Sequence, residues 1–100
     1  MISQEDAMKL VGIELSKKSG PDDTWLIVEG ETVERSFGWV FFYNTKEFIE
    51  TGNPISQLAG NGPVIFDRRS GRMQFFGSGR LDSTTKVIDD YEREWLAQGE

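Results

Sequence analysis

Near the N-terminus, apolar residues recur at helical spacing: Ala7, Leu10, Val11 and Leu15, with Met8 at the margin. Lys9, Glu14, Lys17 and Lys18 face away, so the pattern predicts an amphipathic helix of about four turns. Ser3 has N-cap chemistry, and Asp6 stands where a capping-box glutamate usually sits. Lys17 and Lys18 suit the negative end of the helix dipole, and Gly20-Pro21 stops the helix. Gly12 is placed for close approach to a sheet.

After a turn at Asp22-Asp23 the period changes to two. Trp25 to Val33 reads as a strand, with Leu26 and Val28 on one face and Trp25 and Ile27 on the other. Glu29, Glu31 and Glu34 make its far end polar. Glu34-Arg35-Ser36 then closes a hairpin into a second strand, Phe37 to Tyr43, where Trp39, Phe41 and Tyr43 share a face and Phe37 shares their parity. Both faces of that strand are largely apolar, which predicts a central strand covered on both sides.

Asn44 or Thr45 caps a short helix that uses Phe48 and Ile49 and ends at Gly52-Asn53-Pro54. An irregular segment with Ile55, Leu58 and Ala59 leads to the turn Gly60-Asn61-Gly62-Pro63, which launches a third strand, Val64 to Asp67. Arg69-Ser70-Gly71 is a tight turn with Gly71 at the positive-φ position, and Met73 to Phe76 is the fourth strand. Gly77-Ser78-Gly79 releases the chain into a helix that starts near Asp82 or Ser83 and runs through Val87, Ile88, Tyr91 and Trp95. The order predicts an α+β fold: one small domain over residues 1–100, a mostly antiparallel sheet of about four strands packed by N-terminal and C-terminal helices.

Composition narrows the chemistry. The chain is 37% hydrophobic and 28% charged, as in ordinary globular proteins. It has no cysteine and no histidine, which removes disulfides, thiolate or imidazole metal ligands, and the usual nucleophile–base pairs. No basic segment precedes an apolar stretch at the N-terminus, and no apolar run is long enough to span a membrane, so neither a secretory signal nor a membrane partner is expected. The net charge is −6, unevenly spread: residues 67–81 carry Arg68, Arg69, Arg72 and Arg80 against Asp67 alone. Net acidity opposes nucleic acid at long range. Asp89, Asp90, Glu92 and Glu94 are too dispersed around a helix for a metal site, and Gly60-Asn61-Gly62 and Gly77-Ser78-Gly79 lack the spacing and lysine of a phosphate loop. No cofactor and no catalytic residue is expected. The two acidic groups, around Glu29 and around Asp89, are instead candidate binding surfaces for a basic partner.

The segments Gly38-Trp39-Val40-Phe41-Phe42-Tyr43-Asn44 and Leu58-Ala59-Gly60-Asn61-Gly62-Pro63-Val64-Ile65-Phe66-Asp67, followed by Ser70-Gly71, Gly77-Ser78-Gly79 and a closing helix with Tyr91-Glu92, resemble the immunity protein 35 family, also called YrhB-like. Ala7 and Leu10 extend the likeness to the first helix. Val87, where similar proteins have an aromatic, and Arg68, where lysine is usual, depart from the pattern. The resemblance implies a bacterial, cytoplasmic protein of a polymorphic-toxin system that neutralises a cognate toxin by binding it, with peptidase inhibition as a narrower implication. A stand-alone chaperone-like or structural interaction protein is the alternative.

In either case the candidate partner-binding residues are Trp25, Trp95, Glu29, Glu31 and Glu34, with Arg68, Arg69, Arg72 and Arg80. Trp39, Phe41, Tyr43, Gly60, Asn61, Gly62, Pro63 and Gly71 are expected to serve the core and turns. Monomer and dimer are equally open.

Overall fold

The Ser3 hydroxyl accepts a hydrogen bond from the Asp6 amide at 3.1 Å and starts α1 (Gln4–Ser19). The computed structural model describes residues 2–19, 24–56, 61–77 and 83–98. Along α1 the row Ala7, Val11 and Leu15 is fully buried, whereas Leu10, expected inside, is exposed together with Ile13. Gly12 is not pressed on the sheet: a Cβ there would meet nothing within 4 Å.

The two long strands expected over 25–33 and 37–43 are each broken. β1 (Trp25–Ile27) pairs antiparallel with β4 (Tyr43–Thr45), and β2 (Val33–Arg35) pairs antiparallel with β3 (Gly38–Phe41). Between these two ladders the first segment carries more residues than the second, and the excess coils into a 3-10 turn, Glu29–Glu31. Glutamate and glycine are poor strand formers, so this is where the hairpin yields. The Val28 amide still donates to the Phe42 carbonyl at 2.7 Å, which links the two ladders. Glu29 and Glu31 are therefore not on a strand face with Glu34, which alone belongs to β2.

The hairpin turn falls at Ser36 and Phe37, one residue later than Glu34-Arg35-Ser36. Gly38 is the reason Phe37 does not follow the parity of Trp39. Its φ is +145°, and a Cβ would sit 2.1 Å from the Phe66 carbonyl oxygen, so only glycine fits and the chain can reverse its facing. Phe37 consequently points into a different core from Trp39.

β3 pairs antiparallel with β5 (Asn61–Asp67), and β5 with β6 (Met73–Gly77), giving a four-stranded antiparallel sheet in the order β2-β3-β5-β6 beside the two-stranded β1-β4 piece. The α+β class and antiparallel sheet are as expected, built from six short strands in place of about four longer ones. β5 begins at Asn61 and not after Pro63. The ladder is irregular between Asn61 and Val64, where a proline without an N–H is tolerated. Asn61 and Gly62 thus belong to a strand; Gly60 and Arg80 lie outside the described residues.

Between the strands, α2 (Lys46–Thr51) is capped by Thr45, whose hydroxyl accepts from the Phe48 amide at 3.0 Å. Gly52 closes it in the left-handed conformation, with φ +73°. A 3-10 turn, Pro54–Ser56, follows.

Helices cover opposite faces of the main sheet. On one, α1 packs on Trp39, Phe41, Tyr43, Val64 and Phe66. On the other, α3 (Ser83–Ala97) lays Ile88 against Phe37, Val40 and Ile65, with Val87, Tyr91 and Trp95 at the margin. Trp39 is buried, as are Phe41 and Tyr43, in keeping with the core role expected of them.

Candidate functional site

Alternation along β5 and β6 decides what the β5–β6 turn presents. Asp67 ends β5 and is buried, a position where a charge needs partners. The amides of Arg69 and Ser70 donate to its Oδ1 at 2.8 and 3.1 Å, and the Tyr91 hydroxyl donates to its Oδ2 at 3.1 Å. The Gly71 amide donates to the Asp67 carbonyl at 2.8 Å, with Gly71 at φ +77° as the turn requires. Burial by itself would raise the Asp67 pKa; the Ser70 and Arg69 amides, then Tyr91, outweigh it and hold the carboxyl below its usual range. The Trp95 indole N–H is buried and makes no hydrogen bond among the described residues. The Tyr91 hydroxyl is raised by burial and by the neighbouring Asp67 charge.

This turn and the inner side of α3 enclose a cleft of about 300 Å³. Arg69 and Arg72 stand on the turn side, Tyr91, Glu94 and Trp95 on the helix, and Gln74 on β6. The Arg69 guanidinium lies over the Trp95 ring, 4.0 Å from its centroid, and donates to the Trp95 carbonyl at 3.3 Å. Arg72 and Glu94 face the same space, and neither forms an ion pair among the described residues. The cleft therefore combines an aromatic wall with charges of both signs. Among the described residues no group of three or more acids is placed to hold a metal ion.

Three sequence candidates, Arg69, Arg72 and Trp95, thus meet at one place. Others do not. Arg68 is engaged within the chain: it donates to Glu34 Oε2 at 3.2 Å and to the Arg35 carbonyl at 3.0 Å, and lies 4.8 Å from the centroid of the Trp39 ring. Arg68 and Glu34 thus form an ion pair at the surface, with Glu34 still exposed. Glu29 and Glu31 remain exposed on the 3-10 turn. Trp25 is half-buried, stacks on Tyr43 at 5.7 Å, and lines a second hollow of about 290 Å³ between α1 and β1 with Met8, Ser16 and Ile27.

The second acidic surface expected on α3 is likewise mostly occupied. Asp89 and Glu92 both accept from Arg35 Nη1 at 3.0 Å, and Glu92 Oε2 also accepts from the Ser36 amide at 2.9 Å. The Ser36 amide is the main reason the Glu92 carboxyl is held below its ordinary pKa. Asp90 pairs with Lys86 and Arg93 on its own helix. The acids of α3 dock the helix on the β2–β3 turn. Sequence reading missed Asp67, Tyr91 and Arg35 as organising residues. An aspartate four residues before a glycine, with serine between, was a legible turn signal; the distant arginine–glutamate contact had none.

A family model of immunity protein 35 matches residues 5–98. The chain belongs to the immunity protein 35 family. A relative, the uncharacterized protein YrhB of Escherichia coli (strain K12), is 39% identical over 60 residues, covering 60% of this chain and 57% of that protein. The chain thus spans little more than half the length of that curated relative. No solved structure matches it. The match bears out the resemblance seen in the sequence. No helix among the described residues is long and apolar enough to cross a membrane.

Proposed function

We propose that this immunity protein 35 family member binds a cognate bacterial toxin in the cytoplasm and neutralises it by occlusion. The observation that carries the proposal is the family match over nearly the whole chain. Occlusion needs no catalytic group; it needs an aromatic or arginine anchor within an interface of ordinary size. The Arg69–Trp95 pair beside the cleft has that chemistry. A peptidase-type toxin is the narrower form of the proposal.

The test is to co-express the chain with the toxin domain encoded beside it, and to follow growth and co-elution. Protection of growth together with a stable complex is the expected outcome. Continued killing at matched expression, with no complex, rejects the proposal. Retained cleavage of a peptide substrate by a bound toxin would reject the peptidase form alone. The chaperone-like alternative draws on the exposed apolar side chains Leu10 and Ile13 of α1 and Leu26 of β1. Suppression of aggregation of unrelated unfolded proteins, without toxin protection, would favour it.

A further inference from the structure

The two outer edges of the four-stranded sheet are unlike. β2 is three residues long, is interrupted upstream by the 3-10 turn, and carries Glu34 and Arg35. Short length and charge are the devices that keep an edge from pairing with another chain. β6 is five residues, Met73-Gln74-Phe75-Phe76-Gly77, with no charge and no proline. Among the described residues it pairs with β5 alone.

The hydrogen-bond phase tells which groups are free. The Asp67 amide donates to the Arg72 carbonyl at 2.9 Å, and Ile65 lies opposite Gln74. Arg72 and Gln74 therefore direct their backbone groups to β5, and Met73 and Phe75 direct theirs to the outer edge. The other side of β5 agrees: the Arg68 amide donates to the Phe37 carbonyl at 2.7 Å and Phe66 lies opposite Trp39, leaving Asp67 and Ile65 to serve β6. Met73 and Phe75 thus offer two N–H and two C=O groups in the spacing of one further strand.

Side chains flanking this edge select the strand's chemistry. On the α1 face, Lys18 Nζ stands 4.6 Å from the centroid of the Phe75 ring and has no carboxylate partner among the described residues, unlike Lys17, which pairs with Glu14. On the α3 face, the edge opens on the cleft with the unpaired Arg72. Each face of an added strand would meet a cation that has no carboxylate partner among the described residues, in a protein whose net charge is −6. Among the described residues the acids lining the cleft are Asp67, which is hydrogen-bonded to the turn amides and to Tyr91, and Glu94, which sits on the helix wall.

We infer that β6 is a docking edge that takes an extended, acidic segment of the partner protein as a fifth strand, with alternate side chains directed to Lys18 and to the cleft at Arg72. Main-chain pairing supplies affinity in such an arrangement and the flanking pockets supply selectivity. The inference names the surface used in toxin binding and rests on that proposal, but the edge can be tested without the toxin.

The test is residue-resolved amide exchange of the full chain with a capped eight-residue peptide alternating glutamate and threonine, against one alternating lysine and threonine. The Met73 and Phe75 amides should exchange about tenfold more slowly with the acidic peptide and be unmoved by the basic one. Lys18→Glu with Arg72→Glu should weaken acidic-peptide binding about tenfold, as the loss of two exposed ion pairs implies. Met73→Pro, which removes an outward N–H, should abolish the protection at Phe75 while circular dichroism shows the fold retained. Equal response to both peptides, or none, overturns the inference. So does protection that rises with protein concentration in the absence of peptide, which would assign the edge to a second copy. A toxin complex that forms with Met73 and Phe75 unprotected overturns the docking edge and leaves toxin binding standing; absence of any complex, with the acidic peptide protecting, does the reverse.

Discussion

Gly38 is the residue on which both cores depend. A side chain there would collide with the Phe66 carbonyl and force a positive φ on a substituted residue. Gly38→Ala is expected to cost about 3 kcal/mol or more, read as a lowered denaturant midpoint. Trp39 lies next to it, buried under Arg68 and tilted against Phe66 at 6.2 Å. Trp39→Ala should cost about 3–5 kcal/mol in the same measurement; a variant of unchanged stability that no longer binds its partner would move Trp39 from the core to the interface.

Asp67 gives a pH dependence at this scale. Its carboxyl pKa is lower folded than unfolded, so its charge stabilises the native state above the ordinary aspartate value and that contribution is lost as pH falls through the folded value. Stability should therefore drop below about pH 4, and Asp67→Asn, which keeps the acceptor for the turn amides, should flatten that drop. An acid unfolding profile identical to the unsubstituted protein would show that other carboxylates carry it.

At the scale of elements, α3 is held by apolar packing at Ile88 and by the polar contact of Arg35 and Ser36 with Glu92. A double-mutant cycle on Arg35→Ala and Glu92→Gln should give a coupling of about 0.5–1 kcal/mol that shrinks with added salt, since the pair is partly solvated. Zero coupling would leave packing alone to hold the helix. The N-caps, Gly52, Gly71 and the helix spans were legible in the sequence because each is set within one turn of backbone. The broken strands were not. Alternation in Trp25 to Val33 continues through Glu29 and Glu31, and only the unequal lengths of the paired segments force the 3-10 turn between them.

Across the whole molecule, charges without ion-pair partners among the described residues stand at both ends of the sheet. Exposed Glu29 and Glu31 lie at the β2 end, and Arg69, Arg72 and Lys18 flank the β6 end. Reversing Glu29 and Glu31 to lysine should slow association with a partner steered by the acidic end, more at low salt than at high. An unchanged low-salt association rate would remove steering from the mechanism. Arg69, Arg72 and Trp95 were visible as candidates from clustering and amphipathic position, yet nothing in their spacing said that they share a cleft, nor that Arg68 beside them pairs with Glu34.

The sequence by itself determined the helices, the N-caps Ser3 and Thr45, the turn glycines Gly52 and Gly71, the apolar centre around Trp39 and the family likeness, because these depend on periodicity, on backbone preferences of neighbouring residues, or on motif order. Tertiary structure alone decided which charges are free. Arg68 meets Glu34, Arg35 meets Glu92, and Tyr91 meets Asp67 across two dozen or more residues of chain. Such contacts form only when strands and helix are packed, and no local pattern records them. The same packing put β6 at an edge of the four-stranded sheet, paired among the described residues with β5 alone.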